Sequence, residues 1–312
     1  MLEAKRAAFA PGTLKNYRTQ WSKFIDFTVS YNMESFPTSP HKLSLYAIFL
    51  SQTFKSSEAI RNYLSGVKKL YCHLGLDTSW FDDIEFKQVL KGIGKLKRHK
   101  PSRAFPVSTD ILKQFYCIMD ISRPLDAVFW GLFLVSFFSM ARKSNLVKTE
   151  GSDEPDHVLR RHDLSFVQDA VLLHLRSSKT DQDGSKSHII PLIEVKDSIL
   201  CPVKALKHML KLVPALPEDN LFVYSYRGMI VPVTYRKFHL VFRKCLELVG
   251  ISPEGFSSHS FRRGGAIAAF RASVPSELIK HHGGWTSDAY LLYLEFSLQD
   301  KLLVSRALST CV

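Results

Sequence analysis

Two short motifs near the C-terminal end of the sequence carry side chains that could act on a phosphate. In SHSFRRGGA, His259 and Arg262 are three residues apart, so one helical turn would point both at the same target. The segment HHGGWTSDAYLLYLEF follows, with a glycine pair, Trp285, Tyr290 and Tyr293. Any one of these features alone is usually structural, since tyrosines at helical spacing commonly pack in a core. Their joint order makes a purely structural role for all of them less expected.

Two further cations lie upstream of these motifs. Arg142 follows the apolar stretch AVFWGLFLVSFF, which predicts a buried helix that ends just before it. Lys179 lies in the turn segment SSKTDQDGSKSH, where Lys186 is its rival. Short β-rich runs separated by turn residues around this segment predict a small three-stranded sheet. We expect its strands at residues 163–167, 171–176 and 188–192.

Helical periodicity dominates the rest of the chain. Thr13 is placed as the N-cap of a first amphipathic helix, Pro40 and Ser56 open the next two, and a fourth lies near Ile84 to Ile93. After Cys201 we expect helices at residues 202–212, 235–249, 261–272, 276–281, 286–296 and 298–308. The predicted fold class is therefore mainly α with a small antiparallel β-sheet (α+β).

The basic stretch KGIGKLKRHKPSRAFP marks a domain boundary, because its prolines discourage helix and it contains no acid. We expect an N-terminal helical domain over residues 1–100, a basic linker over 101–107 and a C-terminal domain over 108–312. The run is either a solvated surface or a strap whose cations neutralise phosphates. The cations concerned are Lys95, Lys97, Arg98, Lys100 and Arg103.

Composition narrows the class of partner. With 46% hydrophobic and 23% charged residues, the 312-residue chain has the balance of a soluble globular protein. Its net charge of +13 makes nucleic acid the leading partner class, although such charge can also serve solubility alone. The longest apolar run, Ala127 to Met140, is shorter than the roughly 20 residues of a membrane helix. The first residues, MLEAKRAAFAPG, lack the apolar core of a secretory signal, so we expect the nucleus or cytoplasm and no membrane.

The cysteines and histidines do not form a metal-binding pattern. Five cysteines are scattered without a C-x-x-C pair, which argues against a disulfide framework or a zinc site. His281 and His282 are adjacent, but no paired carboxylate or cysteine accompanies them. We therefore expect a reducing compartment and no metal.

The ordered set of these residues resembles that of the tyrosine recombinases, the family of Cre and lambda integrase. The resemblance extends from about Leu14 to Leu308 and is strongest over the last fifty or so residues. Within the family, the two C-terminal motifs are most similar to eukaryotic mobile-element recombinases of the DIRS, Ngaro and Crypton groups. The residues that carry the resemblance are Arg142, Lys179, His259, Arg262, Trp285 and Tyr293.

The resemblance implies a role for each residue. Arg142 and Arg262 would grip the non-bridging oxygens of the scissile phosphate with planar guanidinium groups. Lys179 would be the general acid for the departing 5′ oxygen, and His259 would bind the phosphate or take the tyrosine proton. Trp285 can donate only through its indole N–H, which makes it a positioning residue.

The nucleophile is chosen by spacing. Tyr293 follows Trp285 by eight residues, one short of the family's spacing, whereas Tyr290 follows it by only five. We therefore expect Tyr293 to attack and Tyr290 to pack. A free tyrosine has a pKa of about 10, so attack at neutral pH needs the surrounding cations. Asn145 departs from several relatives, which carry an acid three residues after the first arginine.

The implied reaction is transesterification through a 3′-phosphotyrosyl intermediate, which conserves bond energy and requires no cofactor. By resemblance, a core-binding domain and a catalytic domain would form a C-shaped clamp around duplex DNA. Four protomers, a dimer per site, would join two sites, and the tail helix at 298–308 would dock on a neighbour or on its own domain. Three alternatives are a type IB topoisomerase, a domesticated DNA-binding protein without catalysis and an RNA-binding module.

Overall fold

A computed structural model of the chain describes Phe9 and residues 11–98, 103–150, 157–175, 188–294 and 298–309. The chain divides into two compact units, Met1–Ser102 and Arg103–Val312. Both are mainly helical. No helix in the described ranges combines the length and the apolar character needed to cross a bilayer.

The first unit is a small helical bundle around an aromatic core. Its helices are α1 (Pro11–Ser30), α2 (Pro40–Thr53), α3 (Ser57–Leu74) and α4 (Ile84–Lys97), with a 3-10 turn at Ser79–Asp82. The fully buried core side chains include Phe24, Leu43, Tyr46, Leu50, Val67 and Tyr71.

The N-termini of these helices test the capping predictions. Ser39 caps α2, with Pro40 as its first residue, and Ser56 caps α3, which confirms both predicted starts. The prediction for Thr13 was wrong, because α1 already begins at Pro11. Proline is well tolerated in a first helical turn, where its missing N–H has no intrahelical acceptor.

The second unit contains the larger core. Helix α6, Pro124–Phe138, is buried from Ala127 to Phe137, as its predominantly apolar sequence predicts. The other helices are α5 (Thr109–Ile118), α7 (Lys143–Leu146), α8 (Pro202–Leu212), α9 (Tyr235–Leu248), α10 (His259–Arg271), α11 (Ser276–His282) and α12 (Leu298–Ser309).

A three-stranded antiparallel sheet lies beside these helices in the predicted place. Its strands are β1 (Leu164–Val167), β2 (Ala170–Leu175) and β3 (His188–Ile193), in the order β1-β2-β3. Alternate β2 residues, Val171, Leu173 and Leu175, are buried. A mainly α fold with a small antiparallel sheet is thereby confirmed.

Two elements differ from the sequence expectations. A second hairpin, β4 (Val223–Tyr226) and β5 (Met229–Pro232), was not predicted. The helix expected at 286–296 was wrong: a 3-10 turn occupies Asp288–Leu292 and ends at Tyr293. Over so short a segment the apolar spacing does not distinguish an α-helix from a 3-10 turn, because side chains three or four residues apart lie on one side of both. Tyr290 and Leu294 of this segment enter a small apolar cluster. The members of this cluster are Met140, Ala266, Ile279, Tyr290 and Leu294.

Candidate active site

Arg142 is delivered by a sharp bend after α6. Met140 has a positive φ of 50°, which turns the chain out of the helix direction. Arg142 then adopts an extended conformation as the N-cap of α7. Its Nη2 donates to the carbonyl oxygen of Gly284, 3.1 Å away, so this arginine is fixed to the turn in front of Trp285.

Arg262 lies on the first turns of α10, three residues after His259, as the sequence predicts. It is only 3% exposed, and its Nη1 donates to the carbonyl oxygen of Met140. The guanidinium carbon lies 3.7 Å from the centroid of the Trp285 ring, which is a close cation–π contact. The bend that delivers Arg142 therefore also anchors Arg262.

The close approach of α10 to α6 depends on Gly265. A Cβ at this position would overlap the carbonyl oxygen of Phe137 near the end of α6. Because α10 carries His259 and Arg262, the glycine lets both approach Arg142. We call the space around Arg142, His259, Arg262 and Trp285 the arginine pocket.

The turn after α11 completes the arginine pocket. Gly284 has a φ of +64°, the left-handed region that favours glycine. Its N–H donates to the carbonyl oxygen of His281 at 2.9 Å, and the N–H of Trp285 donates to that of Lys280 at 3.0 Å. The turn thus contacts both arginines: the carbonyl oxygen of Gly284 accepts from Arg142, and the indole of Trp285 covers Arg262.

The two tyrosines have different environments. Tyr290 is 4% exposed and packs in the apolar cluster with Leu294. Tyr293 is half-buried at the end of the 3-10 turn, with its ring centroid 6.0 Å from that of Trp285. Both tyrosine rings lie 6.0 Å, centroid to centroid, from the Trp285 ring, so burial and charge separate them: Tyr293 is the tyrosine that interacts electrostatically with Arg142 and Arg262. Tyr293 therefore borders the arginine pocket with a partly accessible side chain, as a nucleophile requires.

The charges of the pocket are strongly coupled. Burial lowers the pKa of Arg262 to about 9, helped by the positive charge of Arg142, while Tyr293 opposes the shift. Burial also lowers the pKa of Arg142, again opposed by Tyr293. Arginine keeps its proton in proteins, so both side chains are cations. Two partly desolvated cations side by side repel each other, and an anion between them would relieve that repulsion.

The environment of His259 favours the neutral form of its ring. Burial lowers its pKa from the ordinary value, and the charges of Arg262, Lys143 and Arg142 lower it further. A neutral imidazole can accept a proton.

Lys143 was not identified from the sequence. Its Nζ lies 3.5 Å from the centroid of the Tyr235 ring at the start of α9, and the residue is exposed. Its charge also lowers the pKa of His259, so it is close to the arginine pocket. Its place directly after Arg142 was the available signal, and only the fold shows that Tyr235 holds it there.

The remaining predicted residues are distributed as follows. Lys95, Lys97 and Arg98 are at the C-terminal end of α4, where Lys97 Nζ donates to the carbonyl oxygen of Ser51. Arg103 belongs to the second unit. The other predicted sites, Lys179, its rival Lys186 and Lys100, are outside the described residues.

Asn145 and His282, both singled out in the sequence, bind backbone groups. Asn145 is buried, at 3% exposure, and its carbonyl oxygen accepts from the N–H of Leu159 at 2.8 Å. His282 Nε2 bonds to the carbonyl oxygen of Phe138. Within the described ranges, no three His, Cys, Asp or Glu side chains are grouped so that they could hold a metal ion.

The fold is that of the tyrosine recombinases. Over 95% of this chain and 79% of the other, it is similar to XerH recombinase bound to palindromic difH substrate, with a TM-score of 0.65 at 16% identity. The structure of the Tn1549 transposon integrase in complex with transposon right end DNA matches with a TM-score of 0.64 at 12% identity, over 94% of both chains. The structure of a lambda integrase dimer bound to a COC' core site matches with a TM-score of 0.59 at 15% identity, over 94% of this chain and 73% of the other.

Sequence comparison points to the same group of proteins. An integrase/recombinase XerD homolog of Selenomonas ruminantium is 24% identical over 285 residues, which are 88% of this chain and 79% of that protein. No protein-family model matches the chain. The fold and this relative support the tyrosine recombinase/integrase family.

Proposed function

We propose that this chain is a site-specific DNA recombinase that cuts and rejoins strands through a covalent bond between Tyr293 and a DNA 3′ phosphate. The observation that carries the proposal is the convergence of Arg142, Arg262 and His259 beside a half-buried Tyr293. The recombinase fold and the XerD homolog are consistent with this chemistry.

The first step forms one bond and breaks another. The Tyr293 oxygen attacks the phosphorus, the new P–O bond to tyrosine forms, and the bond to the 5′ oxygen breaks. His259 takes the phenolic proton, and Lys179 gives a proton to the departing 5′ oxygen. Arg142 and Arg262 stabilise the charge on the non-bridging oxygens. The reverse step, with a 5′ hydroxyl of a partner strand, rejoins the DNA and releases Tyr293.

A cleavage assay with a trapped product tests this function. The substrates are random-sequence duplexes, each with a nick beside the candidate phosphate. Cleavage releases a short fragment from such a duplex, so the strand cannot be rejoined and the covalent adduct is trapped. We expect an SDS-resistant adduct from the wild type and from Tyr290→Phe, and none from Tyr293→Phe. Loss only in Tyr290→Phe would move the nucleophile to that residue.

The same assay separates the alternative functions. Tight, salt-sensitive DNA binding without an adduct in any variant would indicate a DNA-binding protein without catalysis. An adduct together with relaxation of a supercoiled plasmid, but without strand exchange between two duplexes, would indicate a type IB topoisomerase. Sequencing of the trapped DNA would give the target site.

The biological setting that we propose is a mobile element, closest to the DIRS, Ngaro and Crypton groups, acting in the nucleus. The motif resemblance supports the subgroup, and the fold shared with the Tn1549 transposon integrase supports element mobility. We further propose that Lys95, Lys97, Arg98, Lys100 and Arg103 neutralise DNA phosphates.

For assembly we propose four protomers on two DNA sites, with α12 docked on a neighbour. Leu302 and Leu308 of this helix are exposed, at 38% and 63%. Removal of residues 297–312 should leave a smaller complex on DNA, as measured by light scattering. An unchanged mass would contradict the docking role of α12.

A further inference from the structure

Two histidines bind backbone carbonyls directly behind the arginine pocket. His188 Nε2 lies 3.0 Å from the carbonyl oxygen of His282, and His282 Nε2 lies 2.9 Å from that of Phe138. A carbonyl oxygen only accepts, so each ring must carry a proton on Nε2. These two bonds connect β3, the end of α11 and the end of α6.

The first of these bonds holds the turn that carries the pocket. His282 directly precedes Gly283 and Gly284, and the Gly284 carbonyl oxygen accepts from Arg142. Trp285, the next residue, covers Arg262. A shift of the His282 carbonyl would therefore displace the contacts of both arginines together.

His188 is well placed to act as a fixed support. It is the first residue of β3 and pairs with Leu175, the last residue of β2. Its ring is half-buried and lies 5.6 Å from the ring of His281, centroid to centroid. The hydrogen-bonded sheet thus gives the His188 ring a rigid base against the turn.

We propose that His188 is a positioning residue for strand cleavage: by binding the His282 carbonyl, it fixes the turn that orients Arg142 and Trp285. The proposal rests on the proposed recombinase function. His188 acts through the backbone of the turn, so its loss should slow cleavage more than it weakens DNA binding.

Three variants test this role. In His188→Ala, the rate of adduct formation at saturating nicked duplex should fall about tenfold to a hundredfold, because a misplacement near 1 Å can cost on the order of 100-fold. The Kd for the same duplex should stay within about twofold of the wild-type value. His188→Gln keeps a side-chain N–H donor and should recover much of the rate. His208→Ala is the matched control. His208 Nε2 lies 2.8 Å from the carbonyl oxygen of Ile121, so it makes the same kind of bond, but outside the arginine pocket.

Amide hydrogen exchange gives a measure that does not require cleavage. The N–H groups of Gly283, Gly284 and Trp285 donate within α11 and its turn, and they should exchange faster in His188→Ala than in His208→Ala. If the wild type forms no adduct, the proposed function fails while this comparison still decides the role of His188 at the turn. The proposal would be overturned if His188→Ala cleaved DNA at the wild-type rate, or if the amides of the turn exchanged at the same rate in His188→Ala and His208→Ala.

Discussion

Arg103 Nη1 donates a hydrogen bond to the carbonyl oxygen of Leu292, 3.0 Å away and 189 residues further along the chain. Leu292 directly precedes Tyr293, so this contact joins the start of the second unit to the turn that carries the tyrosine. The adjoining backbone is also fixed, because the N–H of Phe105 donates to the carbonyl oxygen of Gly255 at 2.8 Å. An arginine predicted from the sequence as a DNA contact therefore also anchors the backbone beside the tyrosine.

Replacement of Arg103 should slow cleavage at saturating DNA. Arg103→Gln loses the charged donor to the Leu292 carbonyl, and we expect a decrease of roughly tenfold, the equivalent of one charge-assisted hydrogen bond. The measurement is single-turnover adduct formation on a nicked duplex. Arg98→Gln removes the same charge from the same basic stretch and serves as control. Equal rates for the two variants would show that Arg103 contributes only charge.

Trp285 should contribute mainly through the face of its ring. Trp285→Ala removes the surface that covers Arg262, and the expected loss is about 1–2 kcal/mol, or on the order of tenfold in cleavage rate. Trp285→Phe keeps an aromatic face and should lose less. Trp80→Ala, an exposed tryptophan in the first unit, is the control. If Phe and Ala were equally defective, the indole N–H would be the important group instead.

His259 should titrate below the ordinary histidine value of about 6.5 in the DNA-free protein. Burial lowers its pKa first, and repulsion by Arg262, Lys143 and Arg142 adds to the shift. An NMR titration of the ring proton checks this, and Lys143→Met should raise the midpoint. A midpoint that Lys143→Met leaves unchanged would contradict the electrostatic repulsion between the two residues.

The same shift has a consequence for stability. The unfolded chain takes up the His259 proton near pH 6.5, before the folded protein does. The free energy of unfolding should therefore hold above about pH 6.5 and fall as the pH drops from there toward the folded pKa. Urea unfolding of the wild type and His259→Gln measures it, and the variant should lose less stability over this interval.

Gly265→Ala should destabilise the second unit. The added Cβ would overlap the Phe137 carbonyl oxygen, and backbone cannot move aside as a side chain tip can, so we expect a loss of about 1–3 kcal/mol in urea unfolding. Gly131→Ala is the control in the same unit, since its Cβ would lie 3.4 Å from Met209 Sδ, an ordinary contact. Comparable losses for both would contradict a special role for Gly265.

Much of the fold could be predicted because its signals are local. The starts of α2 at Pro40 and of α3 after Ser56, the buried helix before Arg142 and the strand β2 each depend on a few neighbouring residues. The β4–β5 hairpin was missed because its turn is formed by Arg227 and Gly228, both at positive φ, and arginine is not a typical residue at that position.

The parts of the site that could not be predicted depend on tertiary contacts. The bond from Arg103 to Leu292 joins residues with no shared local pattern. Likewise, His188 is an unremarkable first residue of a strand until the fold brings it to the His282 carbonyl. Sequence spacing identified side chains that the fold brings together in the arginine pocket, whereas the residues that support them lie in distant segments.

The small apolar cluster of Met140, Ala266, Ile279, Tyr290 and Leu294 links the bend before Arg142 to the turn of Tyr293. It is separate from the large core of the second unit and has few members, so it should open at a lower free energy than that core. Heating should then inactivate the enzyme before the unit melts as a whole. The temperature limit of strand cleavage would be set by a local unfolding event, in which the tyrosine and the arginines separate while most of the protein stays folded.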